Sequence, residues 1–225
     1  MNAIATNVGL SATVNMKHIL AALHCASTEE TRYYLNGVCV QIRARETFAV
    51  ATDGHVLFAA HHALKADETF KGVLKPGEPD NKLIGDFVLA SASVKAIKLR
   101  RMNDPSAVMT LVDETTVKLV CDDEDFYAKL IDGTFLDWRR AVPSDTDLAE
   151  AQNHIDDIDY NSHKLDQFWK CAKALDSTTG GSGNPFYLAR NGSGPALVRF
   201  ADPDAIGCIM PYRTSAKRGK RPAWI

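Results

Sequence analysis

The sequence predicts an α+β fold, and two observations carry that prediction. An amphipathic helix followed by several short apolar, β-prone runs occurs three times along the 225 residues, and turn dipeptides or acidic turns separate the runs. Asn15 is placed to cap a first helix that sets Ile19, Leu20 and Leu23 on one face, which leaves Lys17, His18 and His24 for a basic, wet face. Apolar runs follow at residues 34–42 and 47–60. Asp53-Gly54, a turn-forming pair, breaks the second run into a hairpin with His55 beside its turn. A second helix starts at Ser93, with Val94 and Ile97 inward and Lys95, Lys98, Arg100 and Arg101 outward, and strands at residues 107–112, 116–121 and 126–130 complete a domain over residues 8–143. Residues 144–159 are polar and acidic and read as a linker or an edge segment. A third helix, capped by Asn161 or Ser162, aligns Leu165, Phe168, Trp169, Ala172 and Leu175 in a single stripe. A loop at residues 177–184 (STTGGSGN) and strands at 186–189, 196–200 and 205–210 make residues 144–212 a shorter unit, and residues 213–225 form a basic tail.

Composition bounds what such a chain can do. With 45% hydrophobic residues it can bury a real core. The formal net charge is -2, unevenly spread: five of the 26 bases fall in residues 213–225, leaving 21 bases against 28 acids elsewhere. The five cysteines, Cys25, Cys39, Cys121, Cys171 and Cys208, are odd in number and without CxxC spacing, which argues against a disulfide framework and against a zinc site and fits a reducing cytoplasm. No signal-like segment opens the chain, and no apolar run approaches the roughly 18 residues a membrane span needs. A cytoplasmic protein without membrane contact is the expectation.

Four short segments narrow the function: residues 31–37 (TRYYLNG), 51–57 (ATDGHVL), 132–143 (DGTFLDWRRAVP) and 210–213 (MPYR). In this order and spacing they resemble the bacterial β sliding clamp family, the processivity factors of the replicative DNA polymerase. The resemblance implies a DNA-clamp fold, with residues 8–143 similar to the complete middle domain, built as two βαβββ halves, and residues 144–212 similar to the second half of the last domain. It also implies a pocket between these two units that receives short peptides of DNA polymerases and the clamp loader. By resemblance Leu35, Thr52, Gly54, His55, Leu57, Leu136, Arg140, Ala141, Cys208, Met210, Pro211 and Tyr212 line it, with apolar walls suited to Leu and Phe side chains of an extended peptide. The plainer account of Leu35, Leu57 and Met210 is ordinary core, with Pro211 ending a strand. Val56 stands where the family usually has Arg, Leu136 where it has Pro, and Ala141 where a larger aliphatic is common.

Double-stranded DNA is the second partner the resemblance implies. Arg32, Tyr33 and Tyr34 match the family's DNA-approaching segment, where aromatic faces stack and hydroxyls reach phosphates. Lys17, Lys95 and Lys98 lie on the helices that accompany it. Glu29 and Ser91-Ala92 stand where the family has a neutral amide and an Arg-Lys pair, so binding is expected to be weak. Lys217, Arg218, Lys220 and Arg221, interleaved with Gly and Pro, form either a phosphate-binding arm or a solubility tail, and Trp224 favours an interaction role.

No cofactor and no catalytic residue is expected. Asp53 and His55 flank a turn with no nucleophile tied to them, and the acidic stretches at Asp122, Asp123, Glu124 and Asp125 and at Asp156, Asp157 and Asp159 lack the calcium-loop pattern. The expectation is therefore a non-enzymatic replication accessory protein, monomeric with a ring oligomer as the alternative. A non-ring decoy or adaptor competing with a cellular clamp is the rival reading, and a hydrolase or metal enzyme is the outsider.

Overall fold

Asn15 ends the first strand and starts the first helix. In this computed structural model, which describes residues 8–65, 83–98, 104–151, 158–175 and 186–212, strand β1 (Ser11–Asn15) alternates half-buried and buried positions. The Asn15 carboxamide oxygen then accepts hydrogen bonds from the backbone N–H groups of Lys17 and His18, at 3.0 and 3.4 Å, capping α1 (Met16–Ala22). Two 3-10 segments, Leu23–Cys25 and the kinked Glu30–Leu35, lead to β2 (Gly37–Arg43), which β3 (Glu46–Thr52) and β4 (Val56–Ala63) follow. The same order then recurs as β5 (Leu83–Ala90), α2 (Ser91–Ala96), β6 (Ser106–Asp113), β7 (Thr116–Cys121) and β8 (Glu124–Ile131). Asp122 and Asp123 make the β7–β8 turn with φ of 48° and 61°, a left-handed pair that aspartate tolerates better than most residues. Next come α3 (Asp145–Ala151), α4 (Ser162–Leu175), β9 (Phe186–Ala189), β10 (Ala196–Phe200) and β11 (Ala205–Ile209).

The strands form an antiparallel sheet in the order β1-β6-β7-β8-β5-β2-β3-β4-β11-β10-β9. The two repeats exchange their first strands: β1 pairs with β6, and β5 pairs with β2. Between β5 and β8 only two residue pairs connect, Val88 with Ile131 and Leu89 with Leu130. At the other side β4 pairs with β11 over Val56 to Ala60, so the shorter unit continues the same sheet. Every residue of β2 but the last is buried, because apolar clusters cover both of its faces: Val38, Val40 and Ile42 join one cluster with Ile19, Phe58 and Phe168, and Cys39 joins the other with Leu57, Trp138 and Cys208. A strand covered on both faces needs a nearly continuous apolar run rather than alternation, and the polar exception, Gln41, is satisfied by the Trp138 Nε1–H, which donates to its Oε1 at 3.0 Å.

Three expectations are corrected. His18 is buried beneath Asp202, their Nε2 and Oδ2 atoms 3.5 Å apart, so α1 carries a smaller basic face than its wheel predicts. Burial, and then the nearby Lys170, lowers the pKa of His24, which disfavours a positive charge on that residue. Trp169 lies 48% exposed with the Lys173 ammonium 5.3 Å from its ring, and Cys171, fully buried, takes the inward position. Residues 145–151 are helical rather than an extended linker: Ser144 Oγ accepts from the Asp147 N–H at 3.2 Å while the Asp147 carboxylate accepts from the Ser144 N–H at 2.8 Å, a reciprocal cap, and Leu148 is buried.

Candidate functional site

The site grows from the turn between β3 and β4. Thr52 Oγ1 donates to the Val56 carbonyl at 2.6 Å and accepts from the Gly54 N–H at 3.1 Å. Asp53 Oδ1 accepts from the N–H groups of His55 and Val56 at 2.9 and 3.0 Å, so two side chains hold the loop at both ends. Gly54 has φ of +88°, and a Cβ there would run into the Arg32 guanidinium. Gly54→Ala is therefore expected to destabilise the fold by about 1 kcal/mol from backbone strain and to displace Arg32; thermal denaturation checks the first effect, and an unchanged Tm would contradict it.

The second carboxylate oxygen of Asp53 leaves the turn for the other unit. It accepts from Lys164 Nζ at 2.6 Å and Gln167 Nε2 at 3.3 Å, both on α4. Burial alone would raise this carboxyl's pKa, but Lys164 and the two turn N–H groups together hold it below the ordinary carboxylate range. The chain leaves β11 beside the same turn, with the Met210 N–H donating to the His55 carbonyl at 2.8 Å and the Tyr212 N–H to the Asp159 carbonyl at 2.7 Å.

These contacts frame a cavity of about 210 Å³. Thr52, Gly54, His55, Val56 and Leu57 form one wall, Leu136 and Ala141 a second, and Pro195, Cys208 and Met210 the third. Burial pushes the Cys208 thiol up to about 12, so it presents a neutral, apolar surface. Met210 is 46% exposed at the rim. Eight of the residues marked from sequence thus share the cavity. Leu35 instead sits in the buried cluster with Leu57 and Cys208, Arg140 is exposed on the 3-10 turn Trp138–Ala141, and Pro211 and Tyr212 lie past the rim, Tyr212 bridged to Asp159. Val56 and Pro195 line the cavity without having been marked. Val56 falls inside the ATDGHVL segment, whereas Pro195 carries no sequence signal for this role.

The other marked residues are dispersed. Arg32 is held by Glu29 at 2.7 Å, Tyr33 is exposed, and Tyr34 packs against the core with the two rings 5.9 Å apart. Lys17 is half-buried, and Lys95 and Lys98 are exposed. Lys217, Arg218, Lys220 and Arg221 lie outside the described residues, as do Arg100, Arg101 and Trp224. Among the described residues no three His, Cys, Asp or Glu side chains converge to hold a metal ion, and no helix is long and apolar enough to cross a membrane.

No protein-family model matches the chain. Curated relatives do: the beta sliding clamp of Rickettsia bellii is 29% identical over 124 residues, which make up 53% of this chain and 29% of that protein. The beta sliding clamp of Escherichia coli K12 is 27% identical over 135 residues, 59% of this chain and 32% of that protein. The matches therefore span about a third of those relatives' length. Among solved structures, the DNA polymerase III beta subunit of Thermotoga maritima superposes with a TM-score of 0.62 at 16% identity, covering 93% of this chain and 67% of that one. A DNA polymerase sliding clamp from Pseudomonas aeruginosa with ligand gives 0.60 at 18% identity, covering 92% and 67%. Fold over nearly the whole chain and sequence over more than half of it relate this protein to the bacterial β sliding clamps.

Proposed function

We propose that the chain is a clamp-like DNA replication protein, without catalytic activity, that holds a short extended peptide of a polymerase or clamp loader in the cavity beside Met210. The observation that carries this reading is that one apolar cavity draws its walls from both units of the chain, at the segments that resemble the sliding clamps. An extended peptide can lay apolar side chains against Leu57, Leu136 and Met210, while backbone groups at the rim fix its direction. A peptide with Gln followed by spaced Leu and Phe is expected to bind, and Met210→Ala, at an exposed rim position that leaves the core intact, to weaken it by about 1–3 kcal/mol. Fluorescence anisotropy with a labelled peptide measures both. Absence of binding at millimolar peptide sinks the reading.

Duplex DNA is the weaker partner in this proposal. The Arg32 guanidinium is already neutralised by Glu29, and the body outside residues 213–225 is acidic, so phosphate attraction rests on Lys17, Lys95, Lys98 and the tail. We also hold these 225 residues to be monomeric in solution, because among the described residues the strands ending the sheet, β1 and β9, offer only five and four residues for strand addition. Sedimentation at micromolar concentration tests it, a species of three or more chains being the contrary result. That outcome would favour ring assembly over a non-ring competitor for clamp partners.

A further inference from the structure

Two thiols in contact across a seam are a latent covalent bond. Cys25 closes the 3-10 turn Leu23–Cys25 that follows α1, and Cys171 lies about one turn before the C-terminal end of α4. Both are free and fully buried, and their Sγ atoms stand 3.6 Å apart although the residues are 146 positions apart in the chain. Bonded sulfurs lie at about 2.05 Å, so closure needs an approach of roughly 1.5 Å, which small shifts of the side chains and of α4 can supply. Cys171 Sγ presently donates to the Ala21 carbonyl at 3.2 Å, and that weak bond is what closure gives up.

We propose that Cys25 and Cys171 are a redox modification site, forming an oxidant-dependent disulfide that staples α4, and with it the β9–β11 strands, to α1. Hydrogen peroxide is the oxidant. One sulfur attacks a peroxide oxygen, taking on OH as its own proton leaves with the second oxygen as water. The other sulfur displaces that OH, which leaves with the second thiol's proton as another water. Two thiols and one peroxide thus give one disulfide and two waters. The seam gates the first step. Burial, and then the contact with Cys171, raises the pKa of Cys25 well above its usual value, so its nucleophilic thiolate is scarce while α4 lies on α1. Oxidation waits for α4 to lift, and closing of the seam then brings the second sulfur to the first. Once formed, the bond closes a loop of more than a hundred residues and strips the unfolded chain of much of its freedom. It also fixes the third wall of the cavity against the first, since Met210 and Cys208 follow from the stapled unit.

The wild-type chain, Cys25→Ser and Cys171→Ser are treated with hydrogen peroxide under native conditions, unfolded in denaturant containing N-ethylmaleimide so that every remaining thiol is blocked, digested without reduction and mapped by mass spectrometry. The expected wild-type result is a linked peptide containing both residues, with the protein lighter by two hydrogens and its Tm raised, all reversed by dithiothreitol. Neither serine variant is expected to give the linked peptide or the rise in Tm. If a serine variant fails to fold, the wild-type map decides alone. Full maleimide labelling of both thiols after treatment, sulfinic or sulfonic acid at either position, or linkage to Cys39, Cys121 or Cys208 instead overturns the proposal.

Discussion

Phe168→Ala is expected to lower stability by about 3–5 kcal/mol, as for other fully buried phenylalanines. Phe168 is fully buried, and its ring lies 6.1 Å from both Phe186 and Phe200, which in turn meets Phe58 of β4 at 5.4 Å. The fit extends to the backbone: a Cβ on Gly207 would sit 2.5 Å from the Phe168 ring and 3.1 Å from the Leu57 carbonyl. One ring therefore joins α4 to the strand that carries the pocket's third wall. Urea denaturation measures the loss, and a change below about 1 kcal/mol, the scale of an ordinary surface substitution or less, would mean that the site collapses around the cavity.

Asp53→Ala is expected to cost about 3 kcal/mol, the low end for breaking a buried ion pair because Lys164 keeps 27% of its side chain in water. The substitution removes both turn bonds to His55 and Val56 and leaves the Lys164 ammonium without this partner. The pH dependence follows from the lowered carboxyl pKa. A carboxylate more acidic in the folded than in the unfolded chain contributes stability that is complete above the unfolded value, about pH 4, and is lost as pH falls through the folded value. Asp53→Asn should remove that acid-limb slope while keeping an acceptor for the turn. Denaturation curves at neutral and acid pH test this, and an acid limb of the same slope in Asp53→Asn and wild type would contradict it.

Local signals were legible and distant partners were not. Asp53-Gly54 announced the hairpin because a turn dipeptide acts within a few residues, and β6 to β8 stood out between acidic turns. Trp169 reads as inward because it neighbours Phe168 at the edge of a helical stripe, where hydrophobicity favours the larger ring. The close approach of α1 at Ala21 admits only a small side chain there, so Cys171 faces inward. His18 is buried because Asp202, far along the chain, meets it. The pairing of Asp53 with Lys164 was invisible for the same reason. The Ser144-x-x-Asp147 cap is a local signal, but it lies at the start of an acidic, polar stretch, and that composition reads as a linker. For the cavity, segment resemblance found which turns meet but not which side chains face inward: Leu35 points into the core and Arg140 into solvent, while Pro195 arrives on a loop with no distinguishing pattern.

The pairing of β4 with β11 also sets the order in which the protein can be built. Val56 to Ala60 meet Ala205 to Ile209, so this ladder closes only after residues 205–209 have been made, whereas β2, β3 and β4 can zip together as soon as they are made. During synthesis β4 is an apolar edge waiting for its neighbour, with Val56 and Phe58 on offer to any passing strand. Long-range antiparallel closure is slow compared with hairpin formation, which makes that wait the vulnerable interval of folding. Aggregation during expression should accordingly respond to changes in the β10–β11 hairpin more than to equal destabilisation elsewhere, because the speed with which β4 is covered, and not the final stability alone, decides how many chains arrive intact.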